Sequence, residues 1–322
     1  MVRVGIQEKV PEKLLRLLPD GVEVVRLPAE PTSEYEIDFW VLPFGKKTAL
    51  AQLPHLRGVK VAQTITAGVD SILPWLPKGL ILCDGRGIHD ISTAEWVVAV
   101  LLAEYKRLPQ YRDLQRSEEW KGQALEAIFT DDAETSNGLY RILSEDLYGR
   151  RVLIVGYGSI GAAIELRLAP FGVEIVRVAR SAKSAPNVRA IGDLDSLLPD
   201  ADAVVLIVPL TDETYGFFDE ARIAKMKHGA LLVNAARGPV VVTDALVSAL
   251  NEGRIRAAVD VTDPEPLPTG HPMWSAKNLL LTPHVAGSTP EFIERAFRFV
   301  GEQLRRYIRG EELENRVSSA GY

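Results

Sequence analysis

Residues 150–183 read RRVLIVGYGSIGAAIELRLAPFGVEIVRVARSAK, and they restrict the fold more than any other part of the chain. An apolar, strand-like run leads directly into Gly156, Gly158 and Gly161, spaced G-x-G-x-x-G at the mouth of a helical stretch over 160–169. A second strand-like run, VEIVRVA, follows at 173–179. Strand, glycines, helix and strand in that order form a β-α-β unit, and such a crossover joins parallel strands. The first glycine permits a tight turn, the second lets the backbone approach a pyrophosphate, and the third lets helix and strand pack closely. At the start of the helix, around Ser159 and Ile160, backbone N–H groups and the helix dipole favour negative charge. The unit is expected to bind a dinucleotide.

The end of the second strand indicates which one. A version that holds NAD carries Asp or Glu about 20 residues on, where it bonds the adenosine ribose. Here that place is Ala179, followed by Arg180, Ser181 and Lys183. An arginine fork suits a 2′-phosphate, while a carboxylate at 179 would repel it. Ser181 adds a hydroxyl and Lys183 a point charge. The expectation is a preference for NADP(H) over NAD(H). The competing reading makes Arg180 and Lys183 ordinary surface charges, with NAD bound without its usual ribose contact.

The same grammar runs through the rest of the chain. Short apolar runs at 2–6, 22–27, 37–42, 59–65 and 79–83 precede the glycine turn, and others at 203–209, 229–236, 255–261 and 278–284 follow it. This rhythm predicts an α/β protein with largely parallel sheets. Residues 92–115 read as one long helix, with Ser92 or Thr93 as its cap. The polar stretch 117–138 reads as an extended crossing or an exchanged arm. A length of 322 residues favours two domains.

The 37 basic and 43 acidic residues leave a net charge of −6, which gives no electrostatic footprint for nucleic acid or an anionic bilayer. No apolar run approaches the roughly 18 residues of a membrane span, and MVRVGIQEKV lacks a signal-peptide pattern. The cytoplasm is therefore the expected location. A single cysteine, Cys83, excludes an intrachain disulfide and a cysteine-built metal site, and it reads as a buried thiol.

Three residues with useful chemistry stand just past late apolar runs. Arg237 lies in NAARGPV (234–240), Glu265 in VDVTDPEPLP (259–268) and His284 in LLLTPHVAGS (279–288). Ligands of open α/β sheets bind outside the carboxyl ends of strands, so the three are expected in one crevice. Taken singly, each has a plain reading: a turn arginine, a loop glutamate, a strand-end histidine. Together with the glycine turn, and in this order, they resemble the D-isomer-specific 2-hydroxyacid dehydrogenase family. TAGVD (66–70), STAEW (92–96) and HPMW (271–274) extend the resemblance over nearly the whole chain. The EPLP and HPMW segments make it closest to the NADP-dependent glyoxylate/hydroxypyruvate reductases. The lead-in LYRILSEDLYGRR (139–151) departs from the family's short form, with only DLYGR matching its end.

The resemblance implies reduction of a small 2-keto acid to the D-2-hydroxy acid. Arg237 would clamp the substrate carboxylate, His284 would deliver a proton to the carbonyl oxygen, and Glu265 would orient the imidazole. It also implies that the Ala67, Gly68 and Val69 backbone binds substrate. Pro209, Thr214, Ala235 and Asp260 would line the cofactor edge, with Thr211 nearby and Asp260 close to the nicotinamide. Asp70 and Glu95 are expected to be structural. Trp274 fits either a substrate crevice or a core or interface position, and Phe44, Lys46 and Lys47 of LPFGKK either a pocket wall or ordinary packing and solvent. His55, His89, His228 and His271 stand beside no metal-ligand set, and no metal is expected. The implied fold has two Rossmann-like domains with parallel sheets flanked by helices. A flavodoxin-like, discontinuous substrate domain (1–93 plus 288–322) encloses a dinucleotide-binding domain (94–287), and the implied assembly is a homodimer. Two other activities remain open on this scaffold: formate or phosphite oxidation, and cofactor sensing as in the C-terminal-binding corepressors.

Overall fold

The computed structural model describes residues 1–120, 144–184 and 186–317. The chain divides into two units. One comprises Met1–Thr93, Pro209–Glu213 and Gly287–Tyr322, the other Ala94–Val208 and Thr214–Ala286. The short segment 209–213 and Gly287 thus group with the first unit, whereas the sequence reading placed them in the dinucleotide-binding domain.

In the first unit, strands β1 (Val2–Gln7), β2 (Val22–Leu27), β4 (Phe39–Val41), β6 (Val61–Gln63) and β7 (Ile81–Cys83) form an all-parallel sheet in the order β2-β1-β4-β6-β7. β3 (Tyr35–Glu36) and β5 (Leu56–Arg57) pair separately. Alternate side chains of a strand point to opposite faces, and both faces here are covered. Phe39 and Val41 pack with Val4, Ile6 and the apolar side of the C-terminal helix, Pro290–Arg309, through Phe297, Val300 and Leu304. Trp40, between them, packs on the other face with Leu27, Ile37 and Leu82.

Buried amides fasten the returning C-terminal segment. Gln303 Nε2 donates to Gln63 Oε1 and to the Glu314 carbonyl, both at 2.9 Å, and Gln63 Nε2 donates to the carbonyls of Thr64 and Asp84. Both glutamines are fully buried, so each bond replaces one that water would have made. Cys83 is buried as the sequence suggested, and burial pushes its thiol up to about 11.

The second unit holds β8 (Arg151–Val155), β9 (Glu174–Ala179), β10 (Val188–Ala190), β11 (Ala203–Leu206), β12 (Leu231–Asn234), β13 (Arg256–Val259) and β14 (Leu279–Leu281). They form a seven-stranded parallel sheet in the order β10-β9-β8-β11-β12-β13-β14. Strand order therefore reverses direction between β8 and β11, the kind of switch point where such sheets bind ligands. The register carries the consequence. Val155 pairs with Leu206, Leu206 with Asn234, Asn234 with Val259 and Val259 with Leu281. The residues that follow, Gly156, Ile207, Ala235, Asp260 and Thr282, all emerge along one carboxyl edge.

Two features differ from the sequence reading. The long helix expected over 92–115 is two helices, Asp90–Tyr105 and Leu108–Arg116, separated at Arg107 in a left-handed conformation (φ 56°). Pro109 stands in the first turn of the second helix, and its ring and missing N–H cannot continue the preceding one. Ser92 and Thr93 lie inside the first helix, so neither caps it. The last strand is also shorter than its apolar run: after Thr282, whose N–H still donates to Val259 O, the chain turns so that the Val285 and Ala286 N–H groups bond the side chain of Asp260. The proposed crossing over 117–138 lies, from residue 121 on, outside the described residues.

Candidate active site

The glycine turn occupies the carboxyl end of β8. Gly156 has φ +101°, and a Cβ there would stand 2.7 Å from the Ile207 carbonyl carbon and oxygen, so both conformation and space require glycine. The N–H groups of Gly156 and Tyr157 both donate to the Val178 carbonyl at 2.9 Å, locking the turn to β9. At Gly158 a Cβ would meet nothing closer than 3.9 Å, which leaves the backbone open to approach. At Gly161 it would come within 3.3 Å of Ile154 and Tyr157. The helix Ser159–Leu168 begins there without a side-chain cap. Positive φ, open approach, close packing and an uncapped helix start together fit a dinucleotide pyrophosphate.

Three side chains brace this turn from behind. Tyr157 donates its hydroxyl to Glu165 at 2.7 Å, and Arg177 of β9 donates to the same carboxylate through Nε at 2.6 Å and also through its second arm. The Arg177 guanidinium holds the Glu165 carboxyl below its ordinary value. At the end of β9 come Ala179, half-buried, and then Arg180, Ser181 and Lys183, all exposed. The Lys183 and Val188 backbones pair to close that loop. An arginine, a hydroxyl and a lysine after a strand that ends without an acid suit a 2′-phosphate.

Farther along the same edge, buried polar side chains shape the turns. Asn234, 1% exposed at the end of β12, accepts from Ala236 N at 3.1 Å and donates to the Arg237 carbonyl at 3.0 Å. This fixes the turn that carries Arg237, whose guanidinium donates to the Ala236 carbonyl. Gly238 follows. A Cβ there would lie 1.9 Å from the Thr262 carbonyl oxygen, so only glycine lets this turn meet the 262–265 loop. Ala235 sits between, its N–H donating to Leu206 O at 3.2 Å.

Glu265 and His284 meet directly. His284 Nδ1 and Glu265 Oε1 are 2.6 Å apart, with the two side chains 47% and 40% exposed. An ionised carboxylate only accepts, so Nδ1 carries the hydrogen and Nε2 remains on the far side of the ring. His284 itself is left-handed (φ 55°), an uncommon state for a non-glycine residue and one enriched at functional sites. Its N–H donates to Asp260 O at 2.6 Å and Thr282 O at 3.1 Å. The Asp260 carboxylate, 2% exposed, accepts from Thr282 Oγ1 at 2.6 Å and from the N–H groups of Val285 and Ala286, both at 2.8 Å.

The remaining sequence candidates fall elsewhere. Ala67, Gly68 and Val69 belong to the loop after β6 at the carboxyl edge of the first sheet, where Thr66 Oγ1 donates to Gly68 O at 3.1 Å and Val69 is fully buried. Pro209 and Thr211 lie in the segment that groups with the first unit, and Thr214 in a turn of the second. Glu95 faces Arg167 at 3.7 Å. Trp274 is 56% exposed and donates to the Pro268 carbonyl. Phe44 is 64% exposed near the Phe292 ring, and Lys46 stands over Trp75. His89 stacks on Phe292 with Nδ1 3.1 Å from Gly287 O, and burial holds its imidazole below the usual value. His271 accepts from Met273 N. Among the described residues, no three His, Cys, Asp or Glu side chains gather as a metal-ligand set, and no helix is long and apolar enough to cross a membrane.

Sequence reasoning missed Asn234 and Gly238 altogether and, for Asp260, the bracing role. For Asn234 and Asp260 the one local signal is a polar residue closing an apolar run, in LLVN and AAVD.

Comparison with known proteins places this geometry in context. The family model for the D-isomer specific 2-hydroxyacid dehydrogenase, NAD binding domain, matches residues 98–286. A glyoxylate reductase from Thermofilum pendens is 35% identical over 261 residues, covering 79% of this chain and 73% of that one. A glyoxylate reductase from Thermococcus onnurineus is 33% identical over 327 residues, covering 96% and 93%. The crystal structure of an NADPH-dependent glyoxylate/hydroxypyruvate reductase from Sinorhizobium meliloti, in complex with NADP and sulfate, is 26% identical, with full coverage of both chains and a TM-score of 0.83.

Proposed function

The chain belongs to the D-isomer-specific 2-hydroxyacid dehydrogenase family and is an oxidoreductase; on that premise we propose that it reduces a small 2-keto acid to the D-2-hydroxy acid with NADPH. The observation that carries the reading is the pairing of His284 with Glu265 on the same strand-end edge as a dinucleotide turn. Glyoxylate and hydroxypyruvate are the substrates named for similar proteins, and NADP is the coenzyme bound in the Sinorhizobium meliloti structure. Ala179 followed by Arg180 supports the same coenzyme here. In the first unit, the order β2-β1-β4-β6-β7, ranked without the separate pair, supports reading that unit as flavodoxin-like.

The residues present fit the coenzyme. Gly156, Gly158 and Gly161 with the start of the 159–168 helix would hold its pyrophosphate, and Arg180, Ser181 and Lys183 its 2′-phosphate. When bound, the reduced nicotinamide supplies hydride to the keto carbon. The protein supplies the rest. Arg237 pairs with the substrate carboxylate and polarises the carbonyl, where charge develops. His284 as the imidazolium donates its Nε2 proton to the carbonyl oxygen as that charge grows, and is left as the neutral Nδ1–H form facing Glu265. Glu265 keeps Nδ1 engaged, so the transferable proton sits on the nitrogen away from the carboxylate.

The test is an initial-rate assay following reduced nicotinamide with glyoxylate, hydroxypyruvate, pyruvate and phenylpyruvate, each with NADPH and NADH. Turnover that favours NADPH is the expected result. Equal or better rates with NADH would overturn the coenzyme assignment. Folded protein that binds NADPH yet turns over none of the four would overturn the reductase reading.

A further inference from the structure

We propose that Asp260 is the positioning residue that holds His284 in its working conformation. The resemblance implies a place beside the nicotinamide for this aspartate, but its contacts describe a brace. Donors from both sides of His284 converge on one buried carboxylate: Thr282 Oγ1 before it, Val285 N and Ala286 N after it. The backbone carbonyl of Asp260 takes the N–H of His284 itself, at 2.6 Å. Residues 282–286 therefore wrap around residue 260, and the histidine at the centre of the wrap is forced to positive φ.

A left-handed histidine does not persist without such support, because an L-residue there crowds its own carbonyl. The support is strong for two reasons. Hydrogen bonds to a charged acceptor are shorter and stronger than neutral ones, and at 2% exposure water does not compete for them. The brace is also rigid at its root, since Asp260 N donates to Asn234 O at the end of the β12–β13 ladder. A fixed Cα direction at 284 aims the imidazole so that Nδ1 meets Glu265. Asp260 acts through the histidine and touches neither its ring nor Glu265 in these bonds.

The inference rests on the reading of His284 as proton donor, so its test needs a readout other than turnover. Thr282→Val removes one donor from the carboxylate and keeps the side-chain volume; Asp260→Asn puts an amide hydrogen against Ala286 N. For each, the NADPH dissociation constant, kcat, and the imidazole tautomer of His284 by nitrogen NMR are measured. The expected kcat losses are about 5-fold for Thr282→Val and about 100-fold for Asp260→Asn, with NADPH affinity within about twofold of wild type for Thr282→Val. The Nδ1–H signature of His284 should give way to mixed tautomers in Asp260→Asn. A weakened NADPH affinity with kcat intact, or an unchanged tautomer signature in Asp260→Asn, would overturn the proposal. If the wild-type enzyme turns over no keto acid, the NMR arm still decides whether the brace exists.

Discussion

The two ends of the dinucleotide sheet's carboxyl edge are built by different means. At β8 the turn is made of backbone: three glycines, paired N–H groups on Val178, and a helix start with no side-chain cap. At β12 to β14 the turns are made by buried side chains that capture backbone, Asn234 for the Arg237 turn and Asp260 for the His284 turn. On the proposed function, the difference follows from the tasks. A pyrophosphate is a diffuse anion that many N–H groups can share, so local chain geometry is enough. A proton donor must be aimed, and aiming a side chain from a loop takes a second layer of bonds.

Among changes to the supporting structure, the largest effect is expected where the second kind of construction is most crowded. Gly238→Ala puts a Cβ 1.9 Å from the Thr262 carbonyl and must push the Arg237 turn away from the loop that carries Glu265. We expect kcat/KM to fall by about 1,000-fold and stability by about 3 kcal/mol, with NADPH affinity nearly retained in the folded fraction. Rate assays, thermal melts and a fluorescence titration check it; an active, stable variant would break the comparison.

The next effect belongs to the backbone-built end. Ala179→Asp with Arg180→Ser should move the ratio of kcat/KM values towards NADH by about 100-fold, without changing the rate at saturating coenzyme. An unchanged coenzyme ratio would remove these two positions from the 2′-phosphate site.

The smallest effect is expected at the side-chain brace behind the glycine turn. Arg177 lowers the Glu165 carboxyl, so the pair stabilises the fold above the ordinary glutamate range and loses that contribution as pH falls through the lowered value. Glu165→Gln should cost about 1 kcal/mol at neutral pH. Melts across the acid range should show the gap to wild type closing as pH falls. Coenzyme affinity should hold, because the turn is defined by Gly156 and Val178 rather than by Tyr157. A gap that widened in acid would reverse the assignment.

The same contrast explains what the sequence discloses. Gly156, Gly158 and Gly161 act through their own backbone and immediate neighbours, so their spacing reveals the turn, the parallel strands and the edge on which they end. Arg237, Glu265 and His284 were legible as types of residue standing after apolar runs. Their support was not, because Asp260 reaches residues 282–286 and Gly238 meets Thr262 across distances that no local pattern records. The break at Arg107 is marked by Pro109, while the apolar run before it favours one long helix. The C-terminal helix returns to the first sheet through Phe297, Val300 and Leu304 and is fastened there by Gln63 and Gln303, whose burial only the tertiary structure shows.

The measurement that tests the account most directly is His284→Asn, in which asparagine tolerates the left-handed backbone that the Asp260 loop imposes. NADPH binding and the rate of keto acid reduction are measured on the same preparation. The account predicts a rate lower by about 100- to 10,000-fold with NADPH affinity unchanged within about twofold, since the two ends of the edge do separate work. A retained rate, or a loss of NADPH affinity as large as the loss of rate, would contradict it.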